Sequence, residues 1–196
     1  SFYISFIRST IILKAIKNYL FLFTIASVLV ALDQGTKNLV RANIPTGGTW
    51  LPEGWQNLAP YARAVHWHNR GAAFGMFQNG ALVFTVLAFV VIIAIIWFYH
   101  QIEPNDWFLR LALAMQLAGA AGNLTDRLLF DGTVTDWISV GNFAVFNVAD
   151  ASITVGTAIM LIGVWIMEKR EKQARAESDS QNGLETEPHL SAEDSI

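Results

Sequence analysis

The sequence predicts an all-α membrane protein with four transmembrane helices and a small extracytoplasmic β-sheet cradle. Two observations predict this fold class. Hydrophobic residues make up 53% of the 196 residues and charged residues only 15%, whereas an average soluble domain carries roughly 25% charged residues. The apolar residues are also gathered into runs that approach the roughly 20 residues needed to cross a bilayer. An ordinary soluble enzyme is therefore not expected.

Three of the four helices are predicted by apolar runs. The run from Ala81 to Tyr99 contains no charged residue, and the run from Val148 to Met167 contains only Asp150, in what would be the first helical turn. The run from Tyr19 to Leu32 is followed by Asp-Gln-Gly-Thr-Lys rather than by a small-residue cleavage site. It therefore predicts an uncleaved helix that continues to about Val40.

The remaining helix, Trp107 to Leu124, is interrupted by Arg110 and Gln116. Arg110 lies near one end, where its long side chain can extend toward water. Small residues at every fourth position form a stripe that is suited to close helix packing. They are Ala114, Ala118 and Gly122.

Basic residues before the first helix and after the last predict that both termini are cytoplasmic. Residues 1–18 are then an N-terminal cytoplasmic segment, residues 19–167 a four-helix transmembrane domain, and residues 168–196 a cytoplasmic tail. The tail is first basic and then acidic, with six acids and no Lys or Arg in residues 176–196. That composition buries too little apolar surface to offset the entropy of ordering, so we expect the tail to be disordered.

The connection between the first two helices predicts the outer β-cradle, at about residues 41–73. Turn residues occur at Pro45, Gly47-Gly48, Pro52 and Gly54, and Arg63 to His68 then alternates in the manner of a strand.

Polar and ionisable residues gather at the predicted outer ends of the helices. Such residues next to a membrane span are costly to place there and are candidates for function. These candidates are Asp33, Lys37, Asn69, Asn123, Asp126, Arg127, Asp136, Asn147 and Asp150.

Asp136 and Asp150 are the most informative pair among them. Strand alternation puts Asp136 on the same side as two apolar residues, and Asp150 opens a helix that is otherwise uncharged. Two carboxylates brought together in a poorly hydrated place cannot both ionise readily, so one retains a proton while the other can act as a general base. This is the arrangement of aspartic peptidases.

Simpler structural roles are open for the same residues. Asp150 can be a first-turn acid with Asn147 as the N-cap, and Asp136 can be a solvated loop acid. Asp33 and Lys37 have the spacing of a helix-end ion pair.

Other chemistries have weaker support in the sequence. The absence of cysteine excludes thiolate sites and a cysteine nucleophile. His66 and His68 share one face of a strand but have no third metal ligand, which favours a structural role. Ser152 and Lys37 could form a serine–lysine dyad, although helix packing explains Ser152. We expect no cofactor, no metal and no nucleic-acid partner.

Five motifs occur in order along the chain and resemble those of the type II (lipoprotein) signal peptidases of bacteria, over roughly Tyr19 to Met167. They are Asp33-Gln-Gly-Thr-Lys37, Asn69-Arg-Gly-Ala-Ala-Phe74, Gly122-Asn-Leu-Thr-Asp-Arg127, Val134-Thr-Asp136 and Phe146-Asn-Val-Ala-Asp-Ala-Ser152.

The resemblance implies an intramembrane aspartic endopeptidase that removes the signal peptide from diacylglyceryl-modified prolipoproteins by cutting before the lipidated cysteine. By similarity, Asp136 and Asp150 are the catalytic dyad. Residues expected to support the dyad or bind substrate are Asn69, Gly71, Asn123, Arg127, Asn147, Asp33 and Lys37.

The resemblance also implies a multi-pass protein of the bacterial inner membrane, with its active site toward the outer face. Membrane lipid and macrocyclic peptide antibiotics are the further partners that it implies. Trp137 departs from the family pattern, in which we expect Phe. A small proton-coupled transporter and a non-catalytic lipoprotein-binding scaffold are the alternative functions.

Overall fold

The computed structural model describes residues 2–71 and 80–185. Its helices are α1 (Phe2–Asn43), α2 (Ala81–Tyr99), α3 (Trp107–Leu129) and α4 (Val148–Glu185), and its strands are β1 (Thr49–Trp50), β2 (Ala62–Asn69) and β3 (Val134–Val140). A short 3-10 turn at Gln56–Leu58 lies between β1 and β2. The predicted bounds of α2 are confirmed.

Among the described residues, three segments are long and apolar enough to cross a membrane, namely Ile16–Asn43, Ala81–Tyr99 and Val148–Ser178. The predicted count of four is therefore not confirmed, because α3 is not among these segments. Helix α3 packs against both α1 and α2. A helix surrounded by other helices needs small residues for close approach more than it needs an apolar surface facing lipid.

The small-residue stripe of α3 lies in the core as predicted. Ala114 and Ala118 are buried in one cluster with residues of α1 and α2, which include Leu22, Ile95 and Tyr99. Farther along α3, Gly122 is also buried. A side chain there would collide with α1, since an added Cβ would lie 2.7 Å from Asp33 Oδ2.

Two helices are longer than predicted. Helix α1 already includes residues 2–18, and it ends at Asn43 rather than at about Val40. Helix α4 continues through residues 168–185, where disorder was expected. Helix-forming residues and ion pairs one turn apart, such as Glu168 with Lys172 at 2.6 Å, favour the helix there. Residues 186–196 lie outside the described residues. The chain divides into two units, 1–160 and 161–196.

The sheet is antiparallel with the strand order β1-β2-β3. The predicted strand Arg63–His68 is confirmed within β2. The predicted cradle at 41–73 supplies only two of the three strands, because β3 comes from the segment after α3. Residues 72 and 73 of that range lie outside the described residues. The register pairs Trp67 with Asp136 and Asn69 with Val134, with an irregularity between Ala64 and Trp67.

A substitution at Gly122 tests the packing of α3. We expect Gly122→Ala to lower the free energy of unfolding by about 1–3 kcal/mol, because the added methyl group overpacks a fixed contact. The measurement is thermal unfolding in detergent. Gly35→Ala is the matched control, since a Cβ at Gly35 has no neighbour within 4 Å. It should leave stability unchanged or raise it by up to about 1 kcal/mol. Equal effects of the two substitutions would contradict this packing.

Candidate active site

The N-terminus of α4 carries Asp150, and a reciprocal cap fixes its orientation. The side-chain oxygen of Asn147 accepts a hydrogen bond from the backbone N–H of Asp150 at 2.9 Å. In return, Asp150 Oδ2 accepts one from the backbone N–H of Asn147 at 3.2 Å. This is the pattern of a capping box. The capping role considered for Asn147 and Asp150 is therefore present, and it holds the carboxylate in place.

Strand β3 carries Asp136, which is 2% exposed. Its Oδ1 accepts a hydrogen bond from Asn147 Nδ2 at 2.7 Å, and its Oδ2 accepts one from Asn69 Nδ2 at 3.0 Å. The solvated loop acid considered from the sequence is therefore not what the structure shows. Its neighbour Trp137 lines a different cavity, between α1 and the sheet.

Within the described residues, each of the four oxygens of Asp136 and Asp150 has one hydrogen-bond donor. Asn123 Nδ2 supplies the fourth, to Asp150 Oδ1 at 2.8 Å. Asn147 Nδ2 also donates to Asn123 Oδ1 at 3.1 Å, so the amides join the two carboxyl groups into one network. A carboxylate oxygen has two acceptor sites. One site on each oxygen is thus left for a proton, a water or a substrate.

Both carboxyl groups line one cavity of about 500 Å³. Its polar lining lies at the sheet end and its apolar walls come from α2, α3 and α4. The lining residues are Asn69, Gly71, Phe84, Leu87, Ala88, Val91, Gln116, Gly119, Ala120, Asn123, Arg127, Val134, Asp136, Phe143, Val145, Asp150, Ile153 and Thr154. Polar groups that converge in a mostly apolar cavity are typical of ligand and active sites.

Lys37 lies behind the carboxyl groups and is completely buried. Its ammonium contacts Asp33 Oδ2 at 2.7 Å, Asn123 Oδ1 at 3.1 Å and Asp126 Oδ2 at 3.4 Å. The predicted ion pair of Asp33 and Lys37 is confirmed in its spacing, but it lies in the interior. Asp33 Oδ1 also accepts from the backbone N–H of Ala149 at 2.9 Å. This bond joins α1 to the first turn of α4.

Three residues of this buried network, Gln34, Arg41 and Thr135, were not among the candidate residues predicted from the sequence. Asp126 accepts from Gln34, from Arg41 and from the backbone N–H of Thr135. Arg41 also donates to the Thr135 hydroxyl at 2.8 Å. A signal was present in the sequence, because Arg41 lies one helical turn after Lys37, and Gln34 and Thr135 lie within two of the five motifs.

The other predicted residues lie around the cavity. The backbone N–H of Gly71 donates to Asn69 Oδ1 at 2.9 Å, which directs the amide of Asn69 toward Asp136. The guanidinium of Arg127 lies over the ring of Phe84, 5.5 Å from its centroid. Within the described residues, Arg127 Nε is buried and has no hydrogen-bond partner. The remainder of the motif that begins at Asn69, residues 72–74, lies outside the described residues.

The serine–lysine alternative is not supported by the geometry. The hydroxyl of Ser152 donates to the carbonyl of Val148 in its own helix at 2.8 Å. The ammonium of Lys37 has three N–H groups, and its three oxygen contacts account for all of them.

His66 and His68 lie on the sheet and are not among the residues that line the cavity. Their Nε2 atoms are 3.0 Å apart. Burial lowers the pKa of His68, and His66 and Arg41 lower it further. Among the described residues, no group of three or more His, Cys, Asp or Glu side chains is arranged to hold a metal ion.

Comparison with known proteins agrees with the motifs. A family model described as signal peptidase (SPase) II, peptidase family A8, matches residues 25–166. The chain belongs to the signal peptidase II family. The family resemblance predicted from the five motifs is confirmed, and with it an aspartic peptidase, a hydrolase of lipoprotein processing.

Named relatives cover most of the chain. The lipoprotein signal peptidase of Streptococcus pneumoniae is 36% identical over 144 residues, which cover 71% of this chain and 89% of the relative. The lipoprotein signal peptidase of Bartonella tribocorum is 35% identical over 167 residues, which cover 79% of this chain and 94% of the relative.

Solved structures show the same fold. A bacterial membrane enzyme solved by the in meso method at 1.9 Å resolution has a TM-score of 0.64 at 27% identity, and the match covers 73% of this chain and 91% of that one. A second, solved at 2.3 Å, shares the fold with a TM-score of 0.66 at 24% identity, covering 88% of this chain and 94% of that one.

Removing Lys37 from this signal peptidase II family member tests the buried network. We expect Lys37→Met to lower the free energy of unfolding by about 3–5 kcal/mol, because Asp33 loses its buried counter-charge. The double variant Asp33→Asn, Lys37→Met should lose less than the sum of the two single variants. The measurement is a double-mutant cycle in thermal or denaturant unfolding.

An exposed ion pair of the same spacing is the control. Lys172 and Glu168 are also one helical turn apart, at 2.6 Å, but their side chains are 74% and 59% exposed. Lys172→Met should therefore cost less than about 1 kcal/mol. A loss as large as that of Lys37→Met would mean that burial does not set the strength of these pairs.

The stability of the fold should also depend on the protonation of Asp136. Burial, and after it the charge of Asp150, raises the pKa of Asp136 from 3.8 to about 7. The native state then binds more protons than the unfolded state between these values. We therefore expect the Asp136 contribution to stability to be present at low pH and to be lost as the pH rises through about 7.

Unfolding of the wild type and of Asp136→Asn at several pH values between about 4 and about 8 measures this effect. The substitution should make stability less dependent on pH. Asp131→Asn is the control, because Asp131 is exposed and has a φ of 48°, which Asn adopts readily. Identical pH profiles for the wild type and Asp136→Asn would contradict the raised pKa.

Proposed function

We propose that this chain is an intramembrane aspartic endopeptidase that removes the signal peptide from diacylglyceryl-modified prolipoproteins, cutting just before the lipidated cysteine. Asp136 and Asp150 are the catalytic dyad. The observation that carries the proposal is their placement at one cavity, with one donor from the described residues on each carboxyl oxygen. Membership in the family supports the substrate class.

The dyad hydrolyses the peptide bond with a single shared proton. The ionised carboxyl group takes a proton from water, whose oxygen attacks the scissile carbonyl carbon, while the protonated carboxyl group donates to the carbonyl oxygen. When the tetrahedral intermediate collapses, the C–N bond breaks and the carboxyl group that took the proton from water gives it to the leaving nitrogen. The other carboxyl group takes its proton back from the intermediate, which restores the pair with one shared proton. A pKa of about 7 allows Asp136 to hold that proton at neutral pH.

The supporting residues hold the two carboxyl groups in position. Asn69 and Asn147 fix Asp136, and Asn123 and Asn147 fix Asp150. Arg127 lines the cavity with an N–H group that has no partner within the described residues. It is placed to donate to a carbonyl oxygen of the substrate backbone.

The depth of the site suits a lipid-anchored substrate. We place α3 as a fourth span, because its 23 residues extend roughly 35 Å, enough to cross the hydrocarbon core. The basic flanks then put both termini in the cytoplasm of a bacterial inner membrane, with the sheet and the dyad toward the outer face. The apolar walls of the cavity accept acyl chains and the signal helix. Membrane lipid and macrocyclic peptide inhibitors compete for the same space.

Substitution of either acid tests the dyad. We expect Asp136→Asn and Asp150→Asn each to abolish cleavage of a purified diacylglyceryl-modified prolipoprotein, because neither can share a proton as the wild-type pair does. Cleavage is followed by the shift of the substrate on a gel. Thermal unfolding in detergent verifies that each variant is folded.

Two controls separate this chemistry from the alternatives. Asp131→Asn should cleave at the wild-type rate, since Asp131 is exposed and is not among the residues that line the cavity. Ser152→Ala should also remain active. Full activity of a folded Asp136→Asn or Asp150→Asn variant would refute the dyad, and loss in Ser152→Ala alone would favour a serine nucleophile.

The pH dependence of cleavage should be bell-shaped. Activity requires one proton on the pair, so it falls when both carboxyl groups are protonated and again when both ionise. With the pKa of Asp136 raised to about 7, we expect the alkaline limb near that pH. The measurement is kcat/KM across the pH range. A single ionisation together with inhibition by chelators would instead indicate a metal-dependent reaction.

A further inference from the structure

Two histidines of the sheet form a pair that the proposed peptidase mechanism does not use. His66 and His68 are two positions apart on β2 and therefore point to the same face of the sheet. Their Nε2 atoms face each other at 3.0 Å, with the ring centroids 4.9 Å apart and the ring planes inclined by 53°. His66 is 5% exposed, whereas His68 is exposed. One imidazole ring is thus fixed in the interior and the other belongs to a residue at the surface.

The tautomer of His66 is set by its second nitrogen. His66 Nδ1 lies 2.7 Å from the carbonyl oxygen of Ile44. A carbonyl oxygen can only accept, so Nδ1 carries the proton and the lone pair of Nε2 faces His68. Metal-binding histidines almost always donate their other ring N–H to a carbonyl or carboxylate group in this way. His66 therefore has the orientation and tautomer of a metal ligand before any metal binds.

The separation of the two nitrogens selects among metal ions. An ion bound roughly 2.05 Å from each nitrogen subtends an N–metal–N angle of roughly 95° at this separation. A tetrahedral ion would require roughly 3.3 Å between the nitrogens. An angle near a right angle is that of tetragonal Cu(II) or Ni(II), and Cu(II) binds nitrogen ligands most tightly among the divalent first-row ions.

We propose that His66 and His68 chelate one Cu(II) ion through their Nε2 atoms, with water in its remaining positions. The ion takes the place of the proton on His68 Nε2, and that proton moves to His68 Nδ1, so that both rings bind as neutral imidazoles. Neither histidine lines the cavity of the candidate active site, so this site is separate from the dyad. The proposal goes beyond the proposed peptidase function and does not depend on it.

The charges around the pair set its affinity. The positive charges of Arg41 and Arg70 lower the pKa of His68, and the negative charge of Asp126 raises it. Arg41 is held 3.4 Å from Asp126, which offsets part of its repulsion of a cation. Two imidazole ligands and this partial offset of positive charge favour a soft-to-borderline transition-metal ion. They disfavour Mg²⁺ and Ca²⁺, which prefer oxygen ligands.

Binding should also stiffen the strand that serves the dyad. Asn69 follows His68 directly and donates to Asp136. An ion that joins positions 66 and 68 restrains β2 next to this amide. Because the ion binds the folded pair, Cu(II) stabilises the native state over the unfolded state by mass action.

Titration of the purified full chain in detergent with CuCl₂ tests the proposal. The four histidines of the chain include His100 and His189. The double variant His100→Gln, His189→Gln keeps the pair as its only histidines and should bind one Cu(II) as tightly as the wild type. Its electron paramagnetic resonance spectrum should show a tetragonal ion with two imidazole nitrogens. Thermal unfolding should shift to higher temperature with added Cu(II).

His68→Gln in the same background should bind Cu(II) at least tenfold more weakly and lose the thermal shift. Because His68 is exposed, this variant should fold like its parent, and its unfolding temperature without metal verifies this. Zn(II) should bind at least tenfold more weakly than Cu(II) to the intact pair. Undiminished Cu(II) binding in His68→Gln, a spectrum with one imidazole nitrogen, or Zn(II) binding as tight as that of Cu(II) would each overturn the proposal. Cleavage activity is not needed for any of these measurements, so a failed peptidase assay leaves them interpretable.

Discussion

The buried ammonium of Lys37 is the interaction on which the site depends. Burying an isolated charge costs several kcal/mol, so the ammonium must be paired and fully hydrogen-bonded. Its three contacts are oxygens of Asp33 on the same helix and of Asn123 and Asp126 on α3. Two of these partners reach onward, since Asp33 accepts from the first turn of α4 and Asn123 donates to Asp150. One satisfied charge therefore fixes the relative positions of α1, α3 and the start of α4.

The structural and the functional interpretations of the polar residues coincide in this fold. Asn147 caps α4 and at the same time donates to Asp136, while Asp150 completes the cap and lines the cavity. A cap is local and rigid, so it places a carboxyl group with little loss of further side-chain entropy. The roles of N-cap and of catalytic acid, between which the sequence left the choice open, are therefore compatible with each other.

The sequence predicted features that depend on local interactions better than features that depend on contacts between distant parts of the chain. The bounds of α2 were predicted because a charge-free run ends where charged and turn-forming residues begin. The role of α3 was predicted less well, because a central helix can carry Asn123 and Asp126 when other helices cover it. The acidic tail was expected to be disordered, yet α4 extends to Glu185. The ion pair of Glu168 with Lys172 supports the helix only before residue 176, because no Lys or Arg follows that position. Gln34, Arg41 and Thr135 were missed because their importance lies in contacts with Asp126.

The sequence by itself determined the apolar spans, the motifs and the family, because runs of 20 apolar residues and short polar motifs are local properties of the chain. Only the tertiary structure decided which polar groups meet. Asp33 reaches Ala149 across 116 positions, and Asn69 reaches Asp136 across 67. Such contacts depend on helix packing and strand register, which no local pattern encodes. The pairing of His66 with His68 shows the same division, since spacing predicted a shared face and the fold set the distance between the nitrogens.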